Sequence, residues 1–95
     1  MRRSFRVIIV ENSPHMKVLC EREFEDFRDA ERFCEEATAQ YHADRVNHFY
    51  SISGKVFEVK KKLRGSETLR CLRIYTNGKR DFTWEFTQAL ARFFG

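Results

Sequence analysis

Phe27, Ala30, Phe33, Cys34, Ala37 and Tyr41 recur at helical spacing behind Asp26, a residue able to cap the free amides at a helix start. A stripe of this kind must be buried against something. The other apolar runs of the chain follow strand periodicity or are short, so the spacing predicts one amphipathic helix laid across a β-sheet. With 95 residues there is room for one such domain, spanning 1–95, and not for two. Apolar residues make up 42% and aromatics 15%, against one proline and four glycines, so the chain has the means to pack a core. A domain this short buries roughly 60–70% of its unfolded surface, which leaves little space for a deep enclosed active site beside that core.

The strands are read from alternation and turn chemistry. Residues 4–10 carry apolar side chains on both faces, as a central strand does, and Glu11-Asn12-Ser13-Pro14-His15 is a turn. A second strand over 16–24 closes a hairpin, with Val18, Cys20 and Phe24 on one face and Lys17, Leu19, Glu21 and Glu23 on the other. Beyond an exit loop at 41–45, residues 46–53 and 55–63 read as two strands around a Ser53-Gly54 turn, with a break at 64–67. Asn77-Gly78 suits a two-residue hairpin turn. Its register sets Thr76 against Lys79, then Arg73 against Phe82, Cys71 against Trp84, Leu69 against Phe86 and Arg70 against Glu85, which buries Trp84 beneath the helix. Phe82, Phe86, Ala89, Leu90 and Phe93 also fit a helical stripe starting near Asp81 or Thr83; strand to about Phe86 and a short helix to Phe94 is the favoured assignment. The expectation is an α+β domain: an antiparallel sheet of five or six strands, one amphipathic helix on one face, and a short C-terminal helix.

Charge is segregated along the chain. Between residues 21 and 36, eight carboxylates against three arginines leave −5, and the outer face of the helix carries Arg28, Glu31, Arg32, Glu35 and Glu36. Between residues 53 and 80, nine cations against two carboxylates leave +7: Lys55, Lys60, Lys61, Lys62, Arg64, Arg70, Arg73, Lys79 and Arg80. Solvated faces and edge lysines that block aggregation account for such runs in ordinary proteins. The functional alternatives are an electrostatic dock for another protein or a phosphate-binding surface. Phe49, Tyr50, Tyr75, Phe82 and Trp84 supply rings that can stack on unpaired bases, although a sheet under one helix needs many of the same rings for its core.

Catalytic patterns are missing from the sequence. No nucleophile elbow or phosphate-cradling glycine loop occurs, and Cys20, Cys34 and Cys71 sit at apolar positions with no C-x-x-C spacing. His15, His42 and His48 match no metal-site spacing. The expectation is therefore no catalytic residues, no metal and no cofactor. Met1-Arg2-Arg3 has paired arginines, but the apolar stretch behind it, Val7 to Val10, is too short for a signal peptide, and no run is long enough to span a bilayer. A cytoplasmic protein with reduced thiols and no membrane partner is expected.

The segment Phe24-x-Asp26-x-x-x-Ala30-x-x-Phe33, a strand running straight into a capped helix, resembles a pattern of small α+β proteins encoded by phages and mobile elements, anti-CRISPR proteins among them. The resemblance implies a stoichiometric inhibitor that occupies a nucleic-acid or partner site on a larger host protein or nucleoprotein complex. The sequence thus points to a non-catalytic protein-binding inhibitor or adaptor, with a small basic nucleic-acid-binding module as the alternative.

Overall fold

The computed structural model describes residues 3–45 and 49–94. The elements are β1 (Ser4–Glu11), β2 (Lys17–Phe24), α1 (Phe27–Ala43), β3 (Ile52–Lys61), β4 (Glu67–Thr76), β5 (Lys79–Arg80) and α2 (Phe82–Phe94). The five strands form one antiparallel sheet in the order β2-β1-β3-β4-β5. The fold is α+β, with α1 across one face of the sheet and α2 at the C-terminal end, as the residue patterns predict.

The core forms where the α1 stripe meets the middle of the sheet. Phe5, Val7 and Ile9 of β1, Ile52 and Val56 of β3 and Tyr75 of β4 enclose Ala30 and Cys34 of α1. Phe27, Phe33, Ala37 and Tyr41 pack around them. Asp26 caps the helix, its carboxylate accepting the Arg28 amide at 2.7 Å, and Asp44 ends it one turn past Tyr41, so the exit loop starts later than residue 41.

Three sequence expectations are corrected. First, 46–53 and 55–63 are not two strands around a Ser53-Gly54 turn. A single strand runs from Ile52 to Lys61, and Lys62 and Leu63 belong to the following turn; Val46, the expected first residue, lies outside the described residues. Gly54 sits mid-strand because α1 lies directly over it: a Cβ there would stand 2.5 Å from Cys34 Sγ. Second, the Asn77-Gly78 turn does set Thr76 against Lys79, but β5 ends at Arg80 and 82–94 is one helix. The pairings of Arg73 with Phe82, Cys71 with Trp84, Leu69 with Phe86 and Arg70 with Glu85 therefore do not form, and Trp84 is partly rather than fully buried. The Asp81 carboxylate accepts the Trp84 amide at 2.9 Å, a helix cap that diverts the chain out of the sheet. Third, a bulge at Ile9/Val10 shifts the start of β2 by one residue. Leu19 consequently packs against the core, while Val18 pairs with Val10 and is 57% exposed.

Candidate functional site

The fold divides the basic residues into three groups. Lys60, Lys61, Lys62, Arg64 and Arg70 are exposed around the β3–β4 turn and the strand ends that lead into it. This turn is closed by the Lys62 amide on the Ser66 carbonyl at 2.9 Å and the Gly65 amide on the Lys62 carbonyl at 3.0 Å, with Gly65 at φ +81°. Leu63 stands fully exposed at its tip between Lys62 and Arg64. Lys60 lies 3.8 Å from Glu58, whereas Lys62, Arg64 and Arg70 make no ion pair within 4 Å among the described residues. Lys55 belongs to a second group, on the sheet face opposite α1, in register with Ile8 and Ile74.

Arg73 and Arg80 form the third group, with Lys79 beside them in the turn. Arg80 donates twice to Glu85, both at 2.6 Å, and its guanidinium lies 4.7 Å from the Phe82 ring centroid. Arg73 reaches Glu31 at 3.1 Å and Glu85 at 3.4 Å. The hydrogen bonds from Arg80 hold the Glu85 carboxyl below the usual carboxylate range, and Glu85 in turn raises the guanidinium of Arg80.

That arrangement brings the acidic helix face and part of the basic set together. Arg28, Glu31, Arg32, Glu35 and Glu36 line one wall of an open groove of about 570 Å³; Tyr75, Gly78, Arg80 and Phe82 line the other. Burial, and then Glu31, push the Tyr75 hydroxyl up to about 12. Glu31 is therefore engaged within the molecule, and Lys62, Arg64 and Arg70 cluster as exposed cations around the β3–β4 turn.

Of the aromatic candidates only Trp84 lies beside one of the tip cations, lining a crevice with Arg70. Tyr75 is 2% exposed, and Phe82 and Trp84 ride on α2. Phe49 and Tyr50 precede β3, at the end of the strand away from the tip, roughly 30 Å along it. Phe24 lines a hollow with Lys61, and both it and Trp84 are partly buried rather than open to solvent.

Two apolar surfaces were not singled out from sequence. Ile8, Val10, Phe57, Ile74 and Met16 line an open hollow of about 400 Å³ on the sheet face opposite α1. The signal for it was the alternation of β1, which is apolar on both faces. The other surface is α2, where Phe82, Phe86, Phe93 and Phe94 are each more than 60% exposed.

Cys34 is wholly buried, and that burial pushes its thiol up to about 12; Cys71 is raised by the same cause. Among the described residues no group of three His, Cys, Asp or Glu side chains is placed to hold a metal ion, and no helix is long and apolar enough to cross a membrane. His48 lies outside the described residues. Comparison with protein-family models, with curated proteins and with solved structures finds no match to this chain.

Proposed function

We propose that this protein is a non-catalytic protein-binding inhibitor or adaptor that docks through the cationic β3–β4 tip onto an acidic surface of a larger protein. The observation that carries this reading is the composition of the tip: exposed cations around a fully exposed Leu63. Segregated charge of this kind steers encounter and rejects wrong partners, while a leucine within the charged ring supplies an apolar anchor that a phosphate backbone does not need. Single-strand readers rely on open stacking rings next to their cations, and here the rings beside Lys61 and Arg70, Phe24 and Trp84, are partly buried, Phe24 against the core. The resemblance of Phe24–Phe33 to phage-encoded inhibitors suggests the class of partner: a host protein or nucleoprotein complex that handles nucleic acid.

The test is affinity capture with the wild-type chain and with a variant in which Lys60, Lys61, Lys62 and Arg64 are glutamine, alongside mobility shifts on single- and double-stranded DNA and RNA at two salt concentrations. The expected result is one large protein captured by the wild type alone, with no retarded nucleic acid. Salt-sensitive nucleic-acid binding of micromolar or tighter affinity, lost in the variant, would replace this reading with the nucleic-acid-binding alternative.

A further inference from the structure

Helix α2 is docked by its polar side. Trp84, Glu85, Gln88 and Arg92 line a crevice of about 190 Å³ against Arg70–Arg73 of β4, with Ala89 exposed at its rim, and the ion pairs of Glu85 with Arg73 and Arg80 lie on that side. At 100° per residue, the stripe of Phe82, Phe86, Ala89 and Phe93 is centred roughly 110° further round the helix. No residue of α2 is buried: Phe82 is 66% exposed, Phe86 65% and Phe93 84%, with Leu90 beside them at 41%. An amphipathic helix whose apolar side faces solvent departs from the ordinary rule, by which that side is the one buried.

The stripe is self-complementary. Its spacing of four, three and four residues is unchanged when the helix is reversed. In an antiparallel pair related by a two-fold axis, Phe82 therefore meets Phe93 of the second copy, and bulky Phe86 meets small Ala89. Glu85 and Arg92 are turned toward β4, and the one charge shown at the seam is the Arg80 guanidinium, 4.7 Å from the Phe82 ring centroid at its end. The two helix dipoles run in opposite directions, which favours the pair.

We infer that the chain forms a two-fold dimer through antiparallel packing of α2 against α2 of a second copy. The area agrees with this occupant. Aromatic side chains carry about 150–250 Å² each, so the exposed fractions of Phe82, Phe86, Leu90 and Phe93 amount to roughly 500 Å² per helix. Covered completely on both helices, this surface amounts to roughly 1,000 Å², the lower bound for a specific interface and the size of a weak dimer. This inference does not depend on the cationic tip.

Sedimentation velocity with the full chain tests it, from low micromolar to on the order of 100 μM. The wild type is expected to rise from 11.4 kDa to twice that mass. Phe86→Lys and Ala89→Glu, each at an exposed position, are each expected to keep the wild-type far-ultraviolet circular dichroism and to remain monomeric across the range. Mixed in equal amounts, they are expected to recover the doubled mass, because in the antiparallel register the new lysine of one chain meets the new glutamate of the other. A wild type that stays monomeric, a dimer that survives both substitutions, or a mixture that fails to associate overturns the inference.

Discussion

The Gly78 amide donates to the Thr38 hydroxyl at 3.0 Å, and that hydroxyl in turn donates to the Cys34 carbonyl at 2.8 Å. Thr38 is fully buried, so a side chain in the middle of α1 satisfies the backbone of the Asn77-Gly78 turn and fixes the β4–β5 hairpin beneath the helix. Thr38→Val keeps the shape but leaves the Gly78 amide without its acceptor. It should cost about 1–3 kcal/mol, a fall in Tm of at least about 4 °C, while Thr38→Ser should lose much less. Equal melting temperatures for the wild type and Thr38→Val would remove the hydroxyl from this role.

Gly54 marks the closest approach of α1 to the sheet. An added Cβ would stand 2.5 Å from Cys34 Sγ and 2.7 Å from Thr38 Cγ2, so Gly54→Ala must lift the helix or distort β3, at a cost of about 1–3 kcal/mol. Cys34→Ala removes the nearer of the two obstacles. The double variant should therefore be more stable than the sum of the single effects requires, which denaturant unfolding of all four proteins measures as a coupling energy.

The same glycine shows what was legible in the sequence. The α1 stripe, the β1–β2 hairpin and the Asn77-Gly78 turn were readable because each depends on local spacing or local backbone preference. Gly54 was not, because its reason for being glycine is a helix packed above it, and in sequence a close-approach glycine is indistinguishable from a turn glycine. Residues 82–86 fit both periods, and in the structure they are helix, with the Trp84 amide donating to the Asp81 carboxylate at its start. The charge runs were visible as runs. That Glu31 and Glu85 would pair with Arg73 and Arg80 follows from tertiary contacts alone.

Alkaline pH should destabilise the fold. Burial raises the Cys34 thiol to about 12 from an ordinary value of 9.0, so above pH 9 the unfolded chain loses this proton while the folded chain keeps it. Stability from this group is complete below pH 9 and is lost progressively toward pH 12, by at most about 4 kcal/mol. Tyr75, raised to about 12, acts in the same direction. Urea unfolding at about pH 8 and about pH 10.5 should show the loss, and Cys34→Ala should reduce its steepness. A free energy that stays level across this window would contradict the buried, protonated thiol.

Acid should release α2. The hydrogen bonds of Arg80 hold Glu85 below the ordinary value of 4.5, so their stabilisation is present above that value and is lost as pH falls through the depressed one. Glu85→Gln removes the charge at all pH values and should cost about 1 kcal/mol near neutrality, since the pair is partly solvated. Trp84, the residue before Glu85, reports the change: its emission should move to the red on acidification in the wild type, and much less in Glu85→Gln.

Trp84 itself distinguishes the helix from the strand assignment. As a strand residue opposite Cys71 it would lie under α1, and truncation would cost about 3–5 kcal/mol, enough to unfold a domain of this size. In the structure it sits in the first turn of α2, partly buried against β4 and outside the core cluster. Trp84→Ala should therefore remain folded, at a cost of about 1–2 kcal/mol for half of an aromatic contact. Because the ring is on the side of α2 away from Phe82, Phe86 and Phe93, the same variant should keep the wild-type dependence of mass on concentration. A chain that unfolds on this substitution would place Trp84 in the core, and one that folds but loses only its self-association would place it on the seam.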